Sequence, residues 1–280
     1  MKGYIVALAV LAALSVACQS EMTSLQNREI DLDFFFPGEE TRLTSTSFEK
    51  NDKIGLYVVE CPAPLQISGN YINNAELTYS GSKWTSSERL FWPETGAVDI
   101  YAYYPKMIPT SILEQPFSVA QDQSMGTGSS DFLWAKVPSQ SRQASVKVIF
   151  SHCLSKVTLK LVKGTDYVGD YPQHADVRIL STVPDGLFNL TTGTIAKNGR
   201  SSTSPIKCQQ VSEDTYEAIV IPQRIDSKAP LFEMTVNGIS YLMEGSFEFR
   251  AGMNHTINIV LNSSPEAINV QIGSTIQSWN

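Results

Sequence analysis

The stretch Lys156-Val-Thr-Leu-Lys-Leu-Val162 alternates: on an extended chain Val157, Leu159 and Leu161 share one side and Lys156, Thr158 and Lys160 the other. A strand with one dry and one wet face belongs in an antiparallel sheet that packs against a core on one side only. The same period of two recurs in short β-branched or aromatic runs at residues 54–59, 97–104, 146–150, 216–221, 231–236 and 256–261, each bounded by turn residues. Asn237-Gly238 sits between Glu233-Met-Thr-Val236 and Ile239-Ser-Tyr-Leu242, and both turn positions of a two-residue hairpin need the positive φ that Asn and Gly adopt readily. Pro184-Asp-Gly186, Thr192-Gly193 and Asn198-Gly199 punctuate the same half. Beyond residue 18 the 3.6-residue period is missing, so helices are expected to be few and short and the chain to be all-β.

Residues 106–130, rich in Pro, Ser, Gln and Gly, read as a long excursion before strand signals resume at Phe132. Two antiparallel sandwiches in tandem, residues 18–151 and 152–280, suit the usual domain size better than one sheet system of the whole length. Of the 280 residues 42% are apolar and 18% charged, as in a globular chain. Asp and Glu number 28 against 21 Lys and Arg, a net charge of −7 that repels polyanions and excludes a nucleic-acid partner held by phosphate contacts.

The first residues are of another kind. Lys2 precedes an apolar run over residues 5–14 that ends in Ser15-Val-Ala-Cys18. The run is short for a membrane span and reads as an export signal, residues 1–17, with small residues placed before a cysteine that can carry diacylglycerol. Losing Lys2 with the signal leaves a charge of about −8, so a lipid on Cys18, and not basic residues, would hold the chain to a membrane. Cys61, Cys153 and Cys208 remain. Their odd number allows at most one disulfide, none are at metal-ligand spacing, and they read as small buried apolar side chains.

The sequence carries no G-x-S-x-G, no H-E-x-x-H and no phosphate loop, and Gly126-Thr-Gly128 lacks a third glycine. Of the three histidines, His152 reads as structural, His255 as an exposed strand opener, and His174 carries no signal. Asp31, Asp33, Glu39 and Glu40 lack the spacing of a calcium loop and read as a solvated lead-in. Trp84, Trp92 and Trp134 read as core residues. No catalytic residue, metal or cofactor is expected.

The two ends are more informative. Ile268-Asn-Val270-Gln-Ile272, continued by Ile276 and Trp279, is an alternating terminal strand that wants a sheet edge, its own or a neighbour's. Near the start, Ile30-Asp-Leu-Asp-Phe-Phe-Phe36 is also strand-like and lies between Arg28 and Arg42, each a candidate site for a trypsin-like cut.

Several of these residues, taken in order, carry a resemblance. Thr41-Arg42, Phe48, Asn51-Asp-Lys-Ile-Gly-Leu-Tyr57, Trp84, Phe91-Trp-Pro-Glu94, Asp99-Ile-Tyr-Ala-Tyr-Tyr-Pro105, Asp131-Phe-Leu-Trp-Ala135, Phe150-Ser-His-Cys-Leu-Ser-Lys-Val157, Phe249-Arg-Ala-Gly252 and Ile276-Gln-Ser-Trp279 resemble the fimbrillin (Mfa-like) surface lipoproteins of Gram-negative gut and oral anaerobes. Asn51 stands where that family more often has Gly, and Cys153 where it has Ala. The resemblance implies two transthyretin-like β-sandwich domains and a fimbrial subunit or accessory protein at the outer membrane, supporting adhesion. It further implies a lipid on Cys18 and a cut by an Arg-specific protease after an N-terminal arginine. The cut would free the first strand from its groove for the terminal strand of another subunit, in a homo- or heteropolymer. Here the donor residues would be Ile268, Val270, Ile272, Ile276 and Trp279. A cut at Arg42 removes the first strand whole, whereas a cut at Arg28 only releases the lipid, so Arg42 is the expected site in a stalk unit and an anchor would stay uncut. The alternative is a monomeric lipoprotein that stacks glycans on Trp84, Tyr101 or Tyr103.

Overall fold

The computed structural model describes residues 29–36, 47–168, 170–172, 175–236, 239–262 and 269–279. Among them the one helical element is a 3₁₀ turn at Gly128–Ser130, and strands carry the rest of the regular structure. The first half builds a six-stranded antiparallel sheet in the order β4 (Trp84–Ser86), β3 (Ile72–Tyr79), β2 (Lys53–Glu60), β5 (Val98–Tyr104), β7 (Leu133–Gln140) and β9 (Ser151–His152). A parallel pair, β1 (Leu32–Phe35) and β8 (Val146–Ile149), lies across one face. Phe34, Val146, Val148 and Phe150 meet Ile54, Leu56, Val58, Val98, Ile100 and Ala102 there in one core.

The opposite face of the same sheet is also covered. Tyr57, Val59, Tyr101 and Tyr103 enter a second core together with Phe132, Phe188 and Ile195. The covering layer is a three-stranded sheet of β13 (Thr194–Lys197), β12 (Asp185–Asn189) and β6 (Gln115–Ser118). Burial on both faces explains why residues 54–59 are almost continuously apolar, where a half-wet strand would alternate.

In the second half, one sheet runs β15 (Gln209–Gln210), β16 (Thr215–Val220), β10 (Ser155–Lys163), β19 (Met253–Leu261) and β20 (Asn269–Ser278). Another runs β14 (Ile206–Lys207), β11 (Asp176–Ile179), β17 (Gln223–Val236) and β18 (Ile239–Phe249). Leu159, Leu161, Ile257 and Ile259 from the first share the core with Val177, Ile179, Phe232 and Met234 from the second. Full burial of each such side chain stabilises by about 1.5–3 kcal/mol. Val236 faces Ile239 in the β17–β18 ladder, the register of a two-residue hairpin; Asn237 and Gly238 themselves lie outside the described residues.

The reading of β10 holds in its dry face: Val157, Leu159 and Leu161 are buried and Lys160 is exposed. Thr158 departs from it. It is buried because Glu217 and Asn254 on the flanking strands lie over it, and its hydroxyl is within 3.3 and 3.0 Å of their side-chain oxygens. Two pairings also depart from antiparallel order, β1 with β8 and β10 with β19. Parallel neighbours need long crossovers, and both have them, since most of the first half separates β1 from β8 and most of the second half separates β10 from β19.

The expected boundary at residues 151 and 152 falls on β9, an edge strand of the first half's sheet. The excursion at 106–130 contains β6, which pairs with β12 of the second half. Beyond β6, the buried Gln123 side chain donates to the carbonyl of Ile219 at 2.8 Å and accepts from its N–H at 2.8 Å. The three described cysteines are free thiols. Cys153 and Cys208 are buried as expected, and burial pushes both thiols up. Cys61 is exposed, because it opens the turn after β2, and its thiol faces Asp99 at 3.3 Å. His255, expected at the surface, is 1% exposed, since the edge position of β19 is taken by β20 and the ring is walled by Phe247 and Phe249.

Candidate functional site

The N-terminal strand lies in a groove of aromatic side chains. Its backbone is held on one side by the β1–β8 ladder, where Val146 N–H donates to Asp31 O at 3.0 Å and Phe150 N–H to Phe35 O at 3.1 Å. On the other side Ile30 N–H donates to Leu90 O at 2.7 Å, and Glu29 bridges to Phe91. Alternation does the rest. Ile30, Phe34 and Phe36 point down and are buried, while Asp31 and Asp33 point out, Asp33 accepting from Ser145 Oγ at 2.9 Å. Asp31 and Asp33 are thus the wet face of a strand, and Glu39 and Glu40 lie outside the described residues.

The floor fits the rings. Phe34 meets Trp84 edge to face at 5.5 Å and stacks with Phe150 at 6.0 Å. Phe36 meets Phe48 at 5.2 Å and His152 at 5.6 Å, both edge to face. Such pairs add about 0.5–1.5 kcal/mol each beyond the area they bury. Beside the Ile30 end of the strand the packing opens into a cavity of about 550 Å³, lined by Leu32, Leu77, Trp84, Glu88 and Leu90 among others.

The C-terminal strand is folded back on its own sheet. β20 pairs antiparallel with β19, Met253 opposite Ser278 and Val260 opposite Asn269, so the alternating terminal segment takes the edge of its own sandwich. Of the donor residues, Val270 and Ile272 lie on β20, Ile276 is 43% exposed, and Ile268 is outside the described residues. Trp279 N–H donates to Gly252 O at 2.9 Å.

The residues that follow the first and last described strands converge on one imidazole. The Trp279 ring lies flat on His152, with centroids 3.7 Å apart and planes within 4°, while Phe36 meets the same ring from its edge. Asp131 holds that ring at 3.1 Å from Nδ1 and is itself fixed by the N–H of Phe132 at 2.8 Å. Phe36, His152 and Trp279 line a cleft of about 430 Å³ with Glu49, Asp52, Tyr104, Asp131 and Lys156. Ser47 lines it too. Arg42, Arg28 and Cys18 all lie outside the described residues. Among the described residues no group of three His, Cys, Asp or Glu is placed to hold a metal ion.

Two of the three expected stacking platforms for glycans are buried. Tyr101 and Tyr103 are 4% and 0% exposed, beneath the layer formed with the second half of the chain. Tyr103 lies against Gly55, its cross-strand partner, and its hydroxyl donates to Asn74 Oδ1 at 2.6 Å. Trp84 is half-buried among Phe34, Phe48 and Tyr79. Trp92 is buried, and Trp134 spans the two halves by donating to Leu190 O at 2.8 Å. His152, Phe48 and Phe150 were not legible as parts of a site, since each stands apart from other Phe, Tyr or Trp residues in the sequence except that Phe150 and His152 are two positions apart.

The described residues form an all-β protein whose first strand sits in an aromatic groove and whose last strand closes a sheet edge. The fimbrillin-like family profile matches residues 41–279, and the chain belongs to that family. Among solved structures it is similar to a candidate cell adhesion protein from Bacteroides uniformis, at 19% identity and a TM-score of 0.70, covering 90% of this chain and 98% of the other. A candidate cell adhesion protein from Bacteroides ovatus matches at 16% identity and a TM-score of 0.69, with the same coverage. A fimbrial protein from Bacteroides vulgatus matches at 13% identity and 0.56, covering 90% and 100%. No curated protein matches the sequence.

Proposed function

We propose that the chain is a structural subunit of a cell-surface fimbrium, exported as a lipoprotein through Cys18 and joined to its neighbours by strand exchange. The observation that carries this reading is the N-terminal strand, which has a parallel ladder on one side, a single bridge on the other and apolar side chains sunk in a ready-made groove. Taking it away leaves unpaired backbone and an apolar floor, a state that is unfavourable until another strand arrives. A donor making roughly ten ladder bonds at ~1 kcal/mol net each, less the cost of ordering it, would close the groove almost irreversibly. Arg42 follows the strand in the chain and Arg28 precedes it, so a cut at Arg42 is the one that frees the strand from the body. Ile268, Val270, Ile272, Ile276 and Trp279 are the donor residues in this reading, and β20 would have to leave β19 to act. Two transthyretin-like sandwiches meeting at residues 151 and 152 belong to the same proposal. Each half having its own sheets supports them, with β6 crossing between the halves.

The experiment is to incubate the lipoprotein precursor with an Arg-specific protease and weigh the products. The expected product begins at residue 43. An intact Arg42–Leu43 bond, under conditions that cut the denatured chain, removes the proteolytic switch from the proposal.

A further inference from the structure

We propose that the groove holding β1 selects a strand with two aromatic side chains two residues apart, and that the C-terminal strand of a second copy of this chain does not satisfy it. The inference rests on the strand-exchange reading above and names the partner: an extended segment of aromatic-x-aromatic sequence from a different subunit.

The selection lies at the Phe34 and Phe36 positions. The floor beneath them consists of Trp84, Phe150, Phe48 and His152, and the contacts are between ring edges and ring faces at 5.2–6.0 Å. A branched aliphatic side chain stops short of that floor, and surfaces that lose their facing atoms lose the dispersion contacts outright. The Ile30 end, beside the open cavity, makes no such demand.

The chain's own terminal strand cannot supply the rings. Its alternate positions are Ile268, Val270, Ile272, Ser274, Ile276 and Ser278, and residues 262–278 contain no Phe, Tyr or Trp. Trp279 can bring one ring, with Gln277 two residues before it, so no register of a second copy offers two rings where two now sit. The groove therefore disfavours self-polymerisation and favours a mixed assembly.

The test uses the full chain after cleavage by the Arg-specific protease, challenged with three fluorescent peptides and read by anisotropy. One carries residues 29–36, one the same residues with Phe34→Val and Phe36→Val, and one residues 265–279. The first is expected to bind at least tenfold more tightly than either of the others. Equal binding of the C-terminal peptide overturns the aromatic selection and leaves strand exchange standing. Binding of none of the three overturns both. A second measurement does not depend on the cut. In the uncut Phe34→Ala/Phe36→Ala chain, or in Phe36→Ala alone should the double variant not fold, the 29–36 peptide is expected to raise the thermal midpoint. The 265–279 peptide is expected not to raise it, and equal rescue by both overturns the proposal.

Discussion

At the scale of single residues, His255 shows what burial does to an ionisable group. Its Nε2 accepts from the N–H of Arg250 at 3.0 Å, its Nδ1 has no hydrogen-bond partner among the described residues, and Phe247 and Phe249 wall the ring. Burial holds its pKa below the ordinary value of 6.5; the Arg250 charge adds to that, while Glu248 opposes it. The sign follows. The unfolded chain takes up a proton near pH 6.5 while the folded chain still resists, so this contribution is complete above 6.5 and is lost as pH falls below it. Urea unfolding between pH 7.5 and 5 is expected to show stability falling with acid in the native chain and a flatter profile in His255→Phe. Identical slopes in the two would mean that His255 does not carry the effect. In the sequence this histidine looked like an exposed strand opener, because nothing in its own segment reveals that β20 will cover the edge beside it.

At the scale of elements, the two terminal strands share His152. Phe36 and Trp279 each lean on that ring and Asp131 orients it, so loosening the ring loosens both strands. His152→Ala removes the stacking surface for Trp279, and β20, the outermost strand of its sheet, should fray first. Hydrogen exchange is expected to accelerate at least tenfold in residues 269–278 while the central strand β10 stays protected; unchanged exchange in β20 would show that the stack contributes nothing to docking the strand. Strand positions were legible to within a residue or two for the runs at 54–59, 97–104, 146–150, 156–162 and 216–221, because β-branched and aromatic alternation is a local property. The partners were not legible. Neither the parallel pairing of β10 with β19 nor the return of residues 269–278 to their own sheet is written in any single segment.

At the scale of the whole molecule, the halves are stitched together. β6 pairs with β12, Gln123 brackets Ile219, and Trp134 covers Gly193 while bonding to Leu190. Gln123→Leu leaves the N–H and C=O of Ile219 unpaired in a buried place, a loss of about 1–3 kcal/mol for each orphaned group. Calorimetry is expected to show one cooperative transition for the native chain and a lower midpoint, with a separate second transition, for the variant. A single unshifted transition would mean that the seam is not a mechanical link.

The sequence by itself determined that the chain is all-β, where strands such as β2, β5, β10 and β16 run, and that the terminal segment seeks a sheet edge. Those properties depend on neighbours one, two or a few residues away. Only the tertiary structure decided that Tyr101 and Tyr103 are buried, that His255 is enclosed, that β1 rests on Trp84 and Phe150, and that Phe36 and Trp279 meet at His152. Most of these join residues tens to more than a hundred positions apart. Burial is set by what lies on the far side of a sheet, and that layer comes from another part of the chain.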